Sequence, residues 1–109
     1  MILINICNDF TDTPGARYRS EGDFSGEEFR ETILIPKYEE AVKSKQQLKI
    51  ELDGGYGYAT SFLEESFGGL ARIYQIQEVL DTLLFVSEDE PSLIEEITEY
   101  IKNARQERK

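Results

Sequence analysis

Leu48-Lys49-Ile50-Glu51-Leu52-Asp53 is the run whose reading decides the fold. Apolar and charged residues alternate through it, so as a β-strand it turns Leu48, Ile50 and Leu52 to one side and Lys49, Glu51 and Asp53 to the other. A strand covered on both faces would not hold Lys49 and Glu51 in mid-run, which predicts a sheet with helices packed mainly on one face and much of the other left open. Outward from it, Ile2, Ile4 and Ile6 alternate with Leu3, Asn5 and Cys7 in a first strand. Leu83-Leu84-Phe85-Val86, apolar throughout, reads as a third and more buried one. A short extra strand is expected around Ala16–Arg19, within a connection from Asn8 to Phe24 that is too long for a simple turn. Three helical patterns complete a β-α-β-α-β-α order, which predicts an α/β fold with a small, mostly parallel sheet of about four strands.

The first helix is expected to open at Ser25, an N-cap that forms a capping box with Glu28, and to carry Phe29, Ile33, Leu34, Tyr38, Ala41 and Val42 on one side. Pro36 should kink or split it near Ile35. The second starts at Thr60-Ser61, with Ser61 and Glu64 as another box, and presents Leu63, Phe67, Leu70 and Tyr74 to the sheet. Gly68 and Gly69 should each cost this helix about 1 kcal/mol relative to alanine, a loss that close backbone packing would offset. The third opens at Pro91-Ser92, repeats the device with Ser92 and Glu95, and aligns Ile94, Ile97, Ile101 and Ala104. Its basic end, Lys102, Arg105, Arg108 and Lys109, suits the negative pole of the helix, with residues 104–109 as a frayed tail.

With 109 residues, 39% of them hydrophobic, the chain has room for one core, and residues 1–109 are expected to form a single domain. No apolar run reaches the roughly 18 residues needed to span a bilayer, and Met1–Ile6 lacks the basic flank and cleavage region of a signal peptide. The only cysteine, Cys7, has no partner for an intramolecular disulfide; the expected location is cytoplasmic, and the thiol reads as buried and inert. Acidic residues outnumber basic ones 22 to 12, a formal net charge of −10 that disfavours direct binding to nucleic acid. The acids can serve as a solvated surface, or attract a basic protein partner by mimicking nucleic acid.

The residue inventory is poor in chemistry. There is no histidine, which removes Ser-His and Cys-His nucleophiles and the commonest metal ligand; no catalytic residue, metal site or cofactor is expected. Gly54-Gly55-Tyr56-Gly57 has the outline of a phosphate cradle ahead of a helix without the full glycine fingerprint, and a plain turn competes with a small-anion or nucleotide site. Adjacent carboxylates such as Glu64-Glu65 should diverge on a solvated helix surface. Arg17 and Arg30, together with Gly54, Gly55 and Gly57, are candidate contacts for an anion or a partner; the arginines can equally tie the first connection to the first helix.

Three blocks carry a resemblance: Pro14-Gly15-Ala16-Arg17-Tyr18, Ser25-Gly26-Glu27-Glu28-Phe29-Arg30, and Ser61-Phe62-Leu63-Glu64-Glu65-Ser66-Phe67-Gly68-Gly69-Leu70. Together they resemble the bacterial STAS-like domain family of unknown function, which is distantly similar to the STAS domains of anti-sigma-factor antagonists. The resemblance implies a small sheet with helices mainly on one face and a non-enzymatic signalling role. Anti-sigma-factor antagonists switch partners: they bind an ATP-binding, histidine-kinase-like regulator until a serine at a helix start is phosphorylated. Here Ser61, next to Thr60, occupies the matching helix start, while aligning Ser61-Phe62-Leu63 with the tripeptide ahead of the antagonist motif puts Glu65 at the phosphoacceptor and Ser66 beyond it. The expected function is an interaction module of this kind. An acidic inhibitor of a basic groove is the alternative, and a small-anion or nucleotide site the third.

Overall fold

The alternating run becomes the central strand. In the computed structural model, which describes residues 1–105, β1 (Ile2–Asn5), β2 (Leu48–Glu51) and β3 (Leu83–Val86) form a parallel sheet in the order β1-β2-β3. Register aligns Ile2, Leu48 and Leu83 in one row and Ile4, Ile50 and Phe85 in another, on the face the helices cover. The opposite face carries the rows Leu3, Lys49, Leu84 and Asn5, Glu51, Val86, with Leu3 47% and Leu84 39% exposed. The sheet is one-sided, as the alternation in β2 predicts. Its apolar third strand is nevertheless an edge strand that turns Leu84 to the open side, and is not the buried strand its composition implies.

Among the described residues there is no fourth strand. Ala16 and Arg17 give their carbonyls to the amides of Gly26 and Glu27, and a 3-10 turn follows at Arg19–Glu21, so this segment pairs with a helix start in place of a sheet edge. β1 stops at Asn5 and does not run on to Cys7. The Asn5 carboxamide accepts from the amide of Asn8 (3.0 Å) and Asp9 from that of Asn5 (2.8 Å), which caps a short helix, α1 (Ile6–Asp9).

Both long helices contain a π turn. α2 (Gly26–Phe29) continues through Arg30–Leu34 into α3 (Ile35–Ser44), and α4 (Thr60–Leu63) through Glu64–Gly68 into α5 (Gly69–Ile73). Pro36 therefore does not split the helix. The amide of Ile35 reaches back to the carbonyl of Arg30, and this wide turn admits the proline, which has no donor, into the continuing helix. A π turn also lengthens the step of the buried stripe to five, from Phe29 to Leu34 and from Phe62 to Phe67, all four fully enclosed. Beyond it the stripe runs through Tyr38 and Ala41 and leaves Val42 exposed. An unforeseen helix, α6 (Ile76–Thr82), buries Val79 ahead of β3, and α7 (Ser92–Lys102) closes the core with Leu93, Ile97 and Ile101.

Of the three expected serine caps, one forms. Ser25 Oγ accepts from the amide of Glu28 (3.0 Å), and the Glu28 carboxylate accepts from that of Phe24 (3.1 Å). α4 is preceded by Ala59 and α7 by Pro91, neither with a side-chain cap, so Ser61 and Ser92 lie inside first turns. After α7, Ala104 rests half-buried against the core; of the tail expected over 104–109, residues 106–109 lie outside the described residues.

Candidate functional site

Two regions hold the expected site residues. The first is where the π turns meet. A Cβ on Gly26 would lie 2.6 Å from the carbonyl oxygen of Phe62, one on Gly68 would lie 2.7 Å from Glu64 Oε2, and one on Gly69 would run into the Arg30 guanidinium. Glycine lets backbone approach closely at Gly26; at Gly68 and Gly69 the close neighbours are the Glu64 and Arg30 side chains, in place of the backbone packing expected there. Arg30 Nη1 donates to Glu65 Oε2 (2.6 Å) and to the Glu65 carbonyl (2.8 Å). Arg72 bonds Glu64 (2.5 Å) and Glu65 (3.3 Å), and Arg17 reaches the same two carboxylates. Three arginines thus converge on two glutamates, with Arg30 Nε buried and unpartnered.

Glu64 and Glu65 do not form the diverging, solvated pair that adjacent helical positions imply; the Glu65 side chain is only 9% exposed. Burial pushes the Glu64 carboxyl up, but hydrogen bonds from Arg17 and Arg72 outweigh it and leave it below its ordinary value. The hydrogen bond to Glu64 in turn holds the Arg17 guanidinium more firmly protonated. Arg17 and Arg30 are thereby engaged within the domain, tying the first connection and the first long helix to the second. Ser66 is fully enclosed, its hydroxyl 3.4 Å from the Gly26 carbonyl. Neither it nor Glu65 presents a group to a partner.

The second region follows β2. Asp53 accepts from Ser87 Oγ (2.9 Å) and from the amides of Glu88 (2.6 Å) and Asp89 (3.2 Å), bonds led by that of Glu88 that hold its carboxyl below the ordinary range. The Tyr58 hydroxyl donates to the Leu52 carbonyl (2.8 Å), and burial raises its ionisation well above the usual tyrosine value. On the other side Tyr56 donates its amide to Asp12, and the Cys7 thiol, half-buried on α1, donates to the Gly54 carbonyl (3.2 Å). Gly54 (φ +101°) and Gly57 (φ +109°) make the left-handed bends of this loop. It is therefore a braced turn.

Around it opens a hollow of about 250 Å³ whose lining includes the carboxylates of Asp53, Asp89 and Glu90 and no lysine or arginine. That lining opposes an anionic ligand at Gly54, Gly55 and Gly57. The crest is exposed: Tyr56 is 86% accessible, Thr60 is at the surface and Ser61 is partly so. The loop lies beyond the carboxyl end of β2, where open α/β sheets place their sites, and no side chain caps the helix start that follows. Among the described residues no group of three or more His, Cys, Asp or Glu is placed to hold a metal ion, and no helix is long and apolar enough to cross a membrane.

Sequence reasoning missed Arg72 and the Asp53 clamp. The five-residue steps Phe29–Leu34 and Phe62–Phe67 were the available signal for the first, since a π turn in each helix changes which charged residues face inward.

The profile of the STAS-like domain of unknown function matches residues 25–93, from the Ser25 cap through both π turns and the glycine loop to the start of α7. The chain belongs to this family. The matched span of the STAS-like domain holds Arg30, Glu64, Glu65, Arg72 and the whole Asp53–Ser61 loop, while Arg17 and β1 lie before it. No curated protein and no solved structure gives a significant match to the chain.

Proposed function

We propose that this STAS-like domain is a non-enzymatic interaction module that works by partner switching. In this reading residues 1–109 act as one cytoplasmic domain. The loop and helix start from Asp53 to Ser61 bind an ATP-binding, histidine-kinase-like regulator, and a phosphate on Ser61 weakens the complex. The observation that carries the reading is the contrast within this surface: a base fixed by Asp53 and Tyr58 supports an exposed crest and an uncapped helix start. A phosphate on Ser61 would sit in the first turn, at the positive helix pole, leaving the fold intact while changing the face shown to the partner. Glu65 and Ser66, being enclosed, leave Ser61 and Thr60 as the accessible hydroxyls of the motif.

The test is calorimetric titration of wild type, Ser61→Asp and Ser61→Ala against an ATP-binding, histidine-kinase-like regulator from the same organism. Retained affinity for the alanine variant and at least tenfold loss for the aspartate variant is the expected pattern; equal affinity for all three removes Ser61 from the mechanism. A second reading, an acidic inhibitor seated in a basic groove, draws on the carboxylates of Asp53, Asp89 and Glu90 around the hollow. It predicts binding to a basic protein that falls steeply with salt and ignores Ser61.

A further inference from the structure

Parallel sheets are ordinarily covered on both faces, because their crossover connections lay helices on each. This sheet is wholly parallel, yet no described element covers the side of Leu3, Lys49 and Leu84. We propose that this open face is the docking surface for an amphipathic helix of a partner protein, one that lays leucine-like side chains on Leu3, Leu84 and Val86 and a lysine or arginine over Glu51 and Glu88. The inference rests on the interaction-module reading but uses a surface that leaves out Ser61 and borders its loop only at Asp53.

Size selects the occupant. Three strands about 4.8 Å apart, four residues long at about 3.3 Å each, give a face roughly 13–14 Å on a side. That matches the roughly 10–12 Å width of one helix. Two copies, each with a formal net charge of −10, would repel on approach, so sheet-to-sheet packing of a second copy is disfavoured against a basic helix. Exposure marks the face as adhesive: Leu3 is 47% and Leu84 39% accessible. Charge sets the polarity. Lys49, the only cation on this face among the described residues, stands 3.9 Å from Glu51. At the carboxyl end of the strands a hollow of about 310 Å³ is lined by Asn5, Glu51, Asp53, Val86 and Glu88, three carboxylates without a basic residue. The Asp53 carboxylate is held there by the amides of Glu88 and Asp89.

The probe is an 18-residue leucine–lysine peptide with amphipathic helical spacing, titrated into the isotope-labelled chain and followed by amide chemical shifts. Its controls are a scrambled peptide of equal composition and a leucine–glutamate counterpart. Saturable shifts at Leu3, Lys49, Glu51 and Leu84, at least tenfold weaker binding of the scrambled peptide, and no binding of the acidic one are expected. Leu84→Lys and Leu3→Lys, at exposed positions and checked by thermal melts, should each weaken binding at least tenfold, while Ser61→Asp leaves it unchanged. Shifts confined to the Asp53–Ser61 loop, equal binding of the scrambled peptide, or indifference to both lysine variants would overturn the proposal without touching the Ser61 reading. Shifts of the sheet amides on raising protein concentration alone would assign the face to a second copy instead, and overturn it too.

Discussion

The helix that opens at Gly26 and the one that opens at Thr60 share a device and differ at their starts. Each continues through a five-residue π turn, and the two turns pack together around the same arginine–glutamate cluster. At the first start, Ser25 is fully enclosed, caps the helix and is flanked by the return bond from Glu28. At the second, Ala59 and Thr60 are exposed and no side chain caps the turn. One end is committed to the fold; the other is left open. The difference separates residues that hold the domain together from those free to meet a partner, and the two classes should respond differently to substitution.

The strongest way to break the comparison is at the shared cluster. Glu65→Gln removes a charge that Arg30, itself only 12% exposed, depends on, and should destabilise by about 3–5 kcal/mol, as loss of one member of a buried pair does. Phe67→Ala, in the fully enclosed stripe beside it, should cost a similar 3–5 kcal/mol through the cavity it leaves. Denaturation midpoints measure both. A loss below about 1 kcal/mol for Glu65→Gln would mean that water reaches the arginines and that the cluster is surface-like. Acid offers a second handle. Glu64 is held below its ordinary value of 4.5, so its contribution is present above that pH and is lost as pH falls through the lower folded-state value. Glu64→Gln should flatten this acid limb; an unchanged limb would assign it to other carboxylates.

Gly69→Ala comes next in size, and two opposing effects decide its sign. Alanine gains about 1 kcal/mol of helix propensity. Its Cβ, however, runs into a guanidinium that cannot swing away, because Arg30 is pinned to the side chain and carbonyl of Glu65. Overpacking of this kind costs about 1–3 kcal/mol, so the net effect should be destabilising by about 1 kcal/mol. A raised melting temperature would show that Arg30 has room to move, and that the close approach is incidental.

Much of the fold was legible because it is written in period two. Lys49 and Glu51 between Leu48, Ile50 and Leu52 announce an open face, and the three main strands stand where the apolar runs lie. What escaped the reading obeys other rules. A π turn admits a step of five beside the step of four, and Glu65, within the second such turn, enters the interior. The Ala16–Arg19 segment is anchored by bonds to Gly26 and Glu27, a tertiary pairing no local pattern records. Serine signals overpredicted caps because Ser61 and Ser92 fit the motif one position or more beyond the true helix boundary, which Ala59 and Pro91 occupy without any side-chain bond. For the site, the loop and Ser61 were visible as an exposed glycine-rich turn before a helix; the internal capture of Arg17 and Arg30 was not, since their partners lie 35 or more residues away.

The smallest effects sharpen the comparison between the two helix starts. Ser25→Ala should cost about 1 kcal/mol, because it removes an observed cap from an enclosed position and leaves the amide of Glu28 unpaired. Ser61→Ala should change stability by no more than about 0.5 kcal/mol, as for a surface position outside a cap. Ser61→Asp places a negative charge in the first turn of a helix with no acidic residue there, and should stabilise by about 0.3–1 kcal/mol in low salt. These signs matter for the functional test. If Ser61→Asp melts no lower than wild type yet binds the proposed ATP-binding partner more weakly, the loss belongs to the interface and not to unfolding. Paired melts of the two alanine variants decide whether the premise holds: a Ser61→Ala variant that loses as much as Ser25→Ala would make Ser61 a structural cap after all, and would return the search for the switching residue to Thr60 and the crest of the loop.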